Sequence, residues 1–206
     1  MKKILALALG ALVFASCGER QTQLFNGKDL DGWILHVDTA STVPATEVFA
    51  VKDGVISIAG QPFGYMMTAE SFGDYKLHVE WRWVGEPSNS GLFQRCIPTE
   101  GMWPDCAEVN LMAGRAGDMI TLSQTPFEEN KETGGRFLRS TVDSAENPAG
   151  EWNTTEVVCE GTRIQAYING VLMNEGHFAR TEGPVALQSE GGPLEIRTVY
   201  IVPLKK

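Results

Sequence analysis

The chain has 206 residues and a net charge of −9, since 26 Asp and Glu outnumber 17 Lys and Arg. This acidic balance disfavours nucleic acid and anionic membrane surfaces as partners, whereas it is compatible with neutral ligands such as sugars. The length suits one domain with a full core. The 4 cysteines show no Cys-x-x-Cys pair or Cys/His spacing that would be typical of a zinc site.

The N-terminal segment has the pattern of an export signal. Met1-Lys2-Lys3 is basic, and the apolar run from Ile4 to Phe14 is too short to span a bilayer comfortably. Small residues then precede Cys17. We therefore predict a lipoprotein signal peptide over residues 1–16, lipidation of Cys17 and a polar tether over residues 17–23. The protein is expected to be exported and held on a bacterial membrane by this anchor alone; an ordinary secretory signal is the alternative.

Short apolar runs bounded by turn residues follow along the rest of the chain, which contains 22 Gly and 10 Pro. Asn26-Gly27 and Asp31-Gly32 are turn dipeptides, and Asn169-Gly170 between two apolar runs predicts a tight hairpin. No long segment shows helical periodicity. The pattern predicts an all-β sandwich or barrel, with strands over residues 55–58, 76–84, 107–111, 157–159, 163–168, 184–187 and 194–202.

Polar residues alternate with apolar ones along several of these strands. In the strand that begins at Lys76, the side chains of His78, Glu80 and Arg82 share one face, and in the strand over 107–111 Glu108 and Asn110 do so. If the strands form one curved sheet, a single face carries carboxylates, guanidiniums and amides: Glu80, Arg82, Arg95, Glu108, Asn110, Gln188 and Arg197. Such groups paired in a cleft are typical of a functional site; a solvated face is the alternative.

Three cysteines remain after Cys17. Cys96 and Cys106 flank a loop rich in turn residues, and an exported protein meets oxidising conditions, so we predict a disulfide between them. A bridge that closes so short a loop would stabilise the fold by roughly 2–3 kcal/mol. Cys159 lies in an apolar run and is predicted to be a buried thiol.

A series of motifs resembles, in the same order, those of the 3-keto-disaccharide hydrolase domain family. The resemblance extends from about residue 24 to residue 204. It departs from the family at Asn110, where the family usually has Gln, and at Thr198, where it usually has Asn. The motifs are Leu24-Phe25-Asn26-Gly27-Lys28, Glu80-Trp81-Arg82, Asn89-Ser90-Gly91, Arg95, Glu108, Gly150-Glu151-Trp152-Asn153, Asn169-Gly170, Gly183-Pro184 to Gln188 and Glu195-Ile196-Arg197.

The resemblance implies one domain over residues 24–206 with a concanavalin-like jelly roll, in which two antiparallel sheets bind sugar on the concave one. It also implies a small carbohydrate substrate, a glycoside with a ketone at C3. That ketone acidifies the C2 proton, so a base can remove it, the enolate can expel the C1 substituent, and water can add back. Such a site needs a base, an electrophile for the enolate oxygen and an acid for the leaving group.

Under this hypothesis Glu108 is the base, or else a ligand of a divalent metal ion together with Asn110 or Gln188. Arg82 or Arg95 stabilises the oxyanion, and Glu80 orients an arginine or donates a proton. No other cofactor is predicted. The remaining expected substrate contacts are Asn110, Gln188, Arg197, His78 and Trp103.

Two other functions stay open at this point. A non-catalytic carbohydrate-binding module could use the same fold, since jelly rolls serve both binding and catalysis. Such a module needs stacking aromatics rather than buried carboxylates, so Glu80, Arg82 and Glu108 favour the enzyme, while Asn110 keeps the binding module open. A surface interaction protein similar to laminin-G domains is the least favoured alternative.

Overall fold

Two antiparallel β-sheets face each other in the computed structural model, which describes residues 21–122 and 124–205. The predicted signal peptide and Cys17 lie outside the described residues. The structure contains a four-residue helix, α1 (Ala45–Val48), and a 3₁₀ turn at Glu128–Asn130. The strands are β1 Thr22–Gln23, β2 Trp33–Val37, β3 Phe49–Lys52, β4 Val55–Ile58, β5 Gly64–Thr68, β6 Tyr75–Trp83, β7 Gly91–Ile97, β8 Asp105–Asn110, β9 Met119–Leu122, β10 Phe137–Leu138, β11 Asn153–Glu160, β12 Arg163–Ile168, β13 Val171–His177, β14 Ala186–Ser189 and β15 Leu194–Pro203.

The strand order shows how distant segments pair. The first sheet runs β13-β12-β11-β6-β15-β4-β3, with β1 also paired to β15, and the second runs β10-β9-β8-β7-β14-β5-β2. Asn169-Gly170 forms the hairpin between β12 and β13, and both residues have positive φ, as tight hairpin turns require. The predicted all-β sandwich is confirmed. Among the described residues, no helix is long and apolar enough to cross a membrane.

The core lies between the sheets and follows from the alternation along the strands. In β6 the side chains of Leu77, Val79 and Trp81 are fully buried, while those between them are only partly buried. From the second sheet, Leu92 and Val109 pack into the same cluster. Complete burial of each such side chain stabilises the fold by about 1.5–3 kcal/mol, so these inward rows hold the two sheets together.

The predicted disulfide between Cys96 and Cys106 is not formed in the structure, and both cysteines are buried free thiols. Burial, followed by the neighbouring Cys96, raises the pKa of Cys106 well above its ordinary value. The two cysteines lie in a small apolar cluster on the outer face of the second sheet, beneath Trp103. Packing, rather than a covalent bond, joins β7 and β8 here. Cys159 is buried, as predicted.

Candidate functional site

A cleft of about 450 Å³ opens on the outer face of the second sheet. Its floor comes from β8, β9 and β14, and its walls come from the loops that follow β6, β7, β8 and β9. Apolar and polar side chains alternate around it, and two of them are carboxylic acids. The lining residues are Asn89, Trp103, Glu108, Asn110, Met112, Ile120, Leu122, Arg136, Phe137, Arg139, Gln188 and Glu190.

Glu108 lies at the floor of this cleft. It is on β8 opposite Phe93 of β7, and only 3% of its surface is exposed. Its side chain lies over the backbone at Gly91, where an added Cβ would stand 2.8 Å from Cγ of Glu108 and closer still to its carboxylate. Gly91 is therefore the residue that leaves room for this carboxyl group.

The second acid, Glu190, is held by two amide side chains. Nδ2 of Asn89 and Nε2 of Gln188 both donate hydrogen bonds to Oε2 of Glu190, at 2.8 and 2.7 Å. The backbones of Asn89 and Glu190 also pair in an isolated antiparallel bridge. Ser90 donates to the carbonyl oxygen of Gln188 at 2.9 Å, which fixes β14 beside the motif Asn89-Ser90-Gly91. The motif thus positions both acids of the cleft.

The protonation of the two acids reflects their surroundings. Burial, followed by the nearby charge of Glu190, raises the pKa of Glu108 from its ordinary 4.5 to about 8, although the Arg136 guanidinium opposes this shift. Burial also raises the pKa of Glu190, against the hydrogen bond from Gln188. A carboxyl group with a pKa near neutrality can accept and return a proton, which is the property of a general base.

Two arginines from the segment after β9 also line the cleft. Nε of Arg136 donates to the carbonyl oxygen of Thr121 at 3.0 Å. Within the described part of the chain Arg136 forms no ion pair, so its charge is available to a ligand. Arg139 instead donates to the buried carboxylate of Asp118 at 2.8 Å and stacks on the ring of Phe137 at 4.2 Å. Arg136 is therefore the cation best suited to stabilise a negative charge in the cleft.

Trp103 and Asn110 complete the set of expected substrate contacts in the cleft. Trp103 packs edge-on against Phe93, with ring centroids 5.9 Å apart, and also lines the cleft. Oδ1 of Asn110 accepts a hydrogen bond from the Met112 backbone N–H at 2.6 Å. The amide nitrogen of Asn110 is consequently the end left to contact a ligand. Oε1 of Gln188 is buried and has no hydrogen-bond partner among the described residues.

The donors present do not assemble a metal site. Among the described residues there is no group of three or more His, Cys, Asp or Glu side chains that could hold a metal ion. The cleft offers the carboxyl groups of Glu108 and Glu190 and the amide oxygen of Gln188, since the Asn110 oxygen is already bonded.

A comparison with known protein families identifies the family of this chain. Residues 20–202 match the family described as the 3-keto-alpha-glucoside-1,2-lyase-like domain. The chain belongs to this family. The match covers both sheets and every residue of the cleft, and it confirms the resemblance inferred from the sequence motifs.

Three solved structures illustrate the fold that this lyase-like domain shares with other proteins. A candidate glycosyl hydrolase from Parabacteroides distasonis ATCC 8503 is 20% identical, with a TM-score of 0.66 over 91% of this chain and 95% of its own. The carbohydrate-binding module CBM66 from Bacillus subtilis is 12% identical (TM-score 0.59, over 82% and 93% of the two chains). The beta-glucanase from Bacillus licheniformis is 13% identical (TM-score 0.58, over 92% and 100%). These structural likenesses show that the fold is a jelly-roll sandwich. A search of curated proteins found no match to the sequence.

Several residues predicted for the site lie elsewhere in this lyase-like domain. The strands β6 and β15 belong to the first sheet, so the polar face of β6 points to the opposite side of the sandwich from Glu108. The expectation of one shared face is therefore wrong for Glu80, Arg82, Arg197 and His78.

These displaced residues form an ordered cluster on the outer face of the first sheet. Nε and Nη2 of Arg82 donate to Oε2 of Glu195 at 2.9 and 2.7 Å. Nε of Arg197 donates to Oε2 of Glu80 at 2.5 Å. Both guanidiniums cover the ring of Trp152, at 4.6 and 4.4 Å from its centroid. The cluster joins three segments of the chain. It lies on the opposite side of the sandwich from the cleft.

Arg95 is also outside the cleft. It is fully buried and adopts a positive φ of 56° where the register of β7 and β8 shifts. Its Nη1 donates to the carbonyl oxygens of Gly161 and Arg180, at 2.6 and 2.7 Å. The irregular backbone turns this side chain inward, so Arg95 holds loops together rather than facing a ligand. The expectation that it shares the face of Glu108 is wrong.

Sequence reasoning missed three charged residues of the cleft. Glu190 follows Gln188 by two positions, so the alternation along β14 could have placed both on one face. Arg136 and Arg139 flank β10, a strand of two residues that is too short to show periodicity, so no pattern indicated them. Four predicted residues do meet in the cleft: Glu108, Asn110, Gln188 and Trp103.

Proposed function

We propose that this protein cleaves 3-keto-glycosides by elimination across C1 and C2 followed by hydration, with Glu108 as the base. The observation that supports the proposal most is the buried carboxyl group of Glu108, which lies at the floor of a sugar-sized cleft and has a pKa of about 8. The family description, a 1,2-lyase of 3-keto-alpha-glucosides, names the same two carbon atoms.

The proposed reaction begins with transfer of the C2 proton to Glu108. The electrons of that C–H bond form the enolate of the C3 ketone, and Arg136 stabilises the negative charge on its oxygen. The enolate then expels the C1 substituent, which leaves a C1–C2 double bond conjugated with the ketone. Water adds its hydroxyl to C1, the remaining proton of that water neutralises the expelled C1 substituent, and Glu108 returns its proton to C2, so the net result is hydrolysis. Each proton transfer of this kind typically contributes about 10²–10⁴-fold to the rate.

The arrangement of the cleft supports these roles. Glu108 is isolated from bulk water, so its proton affinity is raised into the range where removal and return of a proton are both feasible. Arg136 is near enough to lower the pKa of the same group and has no competing ion pair in the described chain. Asn110 and Gln188 supply amide groups for sugar hydroxyls, and Trp103 supplies an aromatic surface.

The test is leaving-group release from 3-keto-glucosides of both anomeric configurations by the purified protein without its tether. Glu108→Gln keeps the shape of the side chain but cannot accept the proton, so we expect release to fall by at least about 10²-fold. Unchanged release by this variant would refute the assignment of the base. A parallel assay with EDTA tests the metal alternative: activity lost with EDTA and restored by a divalent cation would contradict the poor fit of the donors.

A non-catalytic carbohydrate-binding module is the second candidate. Its support is Trp103 at the cleft and the fold shared with the module from Bacillus subtilis. Under this alternative no 3-keto-glucoside is cleaved, and calorimetry detects saturable binding of unoxidised sugars that Trp103→Ala weakens. A binding module has no use for a buried acid of raised pKa, so Glu108→Gln would then leave affinity almost unchanged.

A further inference from the structure

We infer that Glu190 is a second catalytic residue, the acid that protonates the leaving group and then the base that activates water. The inference rests on the proposed function. It starts from the composition of the cleft, where Glu108 and Glu190 are the two carboxylic acids among the lining residues. The reaction needs one group that takes a proton from carbon and another that gives a proton to oxygen, and Glu108 alone cannot do both in the same step.

The hydrogen bonds of Glu190 determine which of its oxygens can carry a proton. Oε2 accepts two N–H donors, from Asn89 at 2.8 Å and from Gln188 at 2.7 Å. An oxygen that already accepts two donors is a poor position for a proton. The proton therefore resides on Oε1, which has no hydrogen bond within the described chain. The amide clamp thus orients the acid and leaves its protonated oxygen for the substrate.

The two acids of the cleft are electrostatically coupled. Burial raises the pKa of Glu190, and its charge contributes to the raised pKa of Glu108, so two negative charges in this cleft disfavour each other. Such a pair holds one proton between its members over a range of pH and titrates as a unit. The elimination begins from the state with Glu108 ionised and Glu190 protonated, which forms when the shared proton moves from Glu108 to Glu190.

All protons are accounted for over one turnover. Glu108 accepts the proton of C2 while Glu190 gives its proton to the departing oxygen of C1, and the C1–O bond breaks. Glu190, now a carboxylate, takes a proton from water, whose hydroxyl adds to C1. Glu108 returns the first proton to C2. Both acids end in their starting states, and the products are the free 3-keto-sugar and the protonated leaving group.

A comparison of two leaving groups tests this role. A 3-keto-disaccharide releases a sugar alkoxide, which needs protonation, whereas 4-nitrophenyl 3-keto-glucoside releases a stable anion. We expect Glu190→Gln to lower kcat/KM by about 10²–10⁴-fold on the disaccharide and by less than about 10-fold on the nitrophenyl substrate. The same variant should accumulate the unsaturated ketone during the nitrophenyl reaction, visible by its ultraviolet absorbance, because hydration lacks its base.

A variant of the amide clamp helps to distinguish a chemical role of Glu190 from a purely structural one. Asn89→Ala removes one donor that orients Glu190 but keeps the acid, so it should lower kcat/KM more on the disaccharide than on the nitrophenyl substrate, and by less than Glu190→Gln does. The inference is overturned if Glu190→Gln lowers both rates equally, as a structural role would, or lowers neither. Thermal unfolding of each variant checks that it is folded. A wild-type protein inactive on both substrates would overturn the proposed function and this inference with it, which is a different result from equal losses in the variant.

Discussion

Glu108→Gln should stabilise the folded protein at neutral and alkaline pH while it removes activity. The wild-type side chain is buried, and ionisation there is disfavoured by burial and by Glu190. Glutamine has the same shape but stays neutral. At low pH, where Glu108 is protonated in both the folded and the unfolded chain, the two proteins should have nearly the same free energy of unfolding.

The size and sign of the effect follow from proton binding. Glu108 has a pKa of about 8 in the folded protein against an ordinary 4.5. Between these values the folded state binds more protons than the unfolded state, so wild-type stability falls as pH rises. Each pH unit is worth about 1.4 kcal/mol, and the interval is about 3.5 units, so the variant should gain about 4 to 5 kcal/mol over the wild type by pH 8.

Urea unfolding at several pH values between 4.5 and 8.5 measures this difference. The difference in free energy of unfolding between the two proteins, called the gap below, should grow steadily with pH and level off above pH 8. Glu132→Gln removes one charge at an exposed position and serves as the control, with a gap that changes little. Wild-type kcat/KM should rise over the same range, because ionised Glu108 is the active base. A gap that is constant or shrinks with pH would refute the electrostatic reasoning.

Three further changes have definite expected results. Gly91→Ala should lower kcat/KM by about 10²-fold, because the new Cβ displaces the Glu108 carboxylate; Gly73→Ala, where the added Cβ meets nothing within 4 Å, is the control assayed beside it. Arg136→Gln should lower kcat/KM by about 10²–10³-fold. It should also move the rising part of the pH profile of kcat/KM to higher pH, because the guanidinium lowers the pKa of Glu108. Cys17→Ser should move the full-length protein from the membrane fraction to the soluble fraction of cells; retention in the membrane would contradict lipidation.

The residues of the cleft that sequence analysis predicted are those whose position depends on local alternation. Glu108 and Asn110 share a face because they are two apart on one strand, and the structure keeps them together in the cleft. Turns such as Asn169-Gly170 are equally local, since two residues with positive φ determine a hairpin. Local rules therefore predicted several of the strands, the fold class and part of the cleft.

The division of the strands between the sheets depends on long-range pairing, and alternation carries no information about it. Every strand of a sandwich has one inward and one outward face, so Glu80 and Glu108 show the same pattern although they lie on opposite sides of the protein. The pairing of β6 with β11 and β15 joins segments more than 70 residues apart. Arg136 was not predicted for another reason, because the adjacent strand β10 has two residues and is too short to show alternation.

The outer cluster around Trp152 shows what the misplaced motifs do instead. Arg82 and Arg197 lie on Trp152, and each is paired with a carboxylate from the neighbouring strand. Thr198, one of the two departures from the family pattern, donates to the same Glu80 carboxylate at 2.8 Å. That departure thus changes the outer cluster and leaves the cleft untouched.

Trp152→Leu should therefore affect stability and spare catalysis. Two exposed cation–π contacts are worth about 0.5–1 kcal/mol each, so urea unfolding should show a loss of about 1–2 kcal/mol. The kcat/KM of the folded variant should equal that of the wild type, because no atom of this cluster faces the cleft. Trp103→Leu provides the opposite case, since that ring lines the cleft and its loss should raise KM. If Trp152→Leu were folded but inactive, the charged motifs of the first sheet would contact substrate after all, and the division of the molecule into a scaffold face and a reactive face would be wrong.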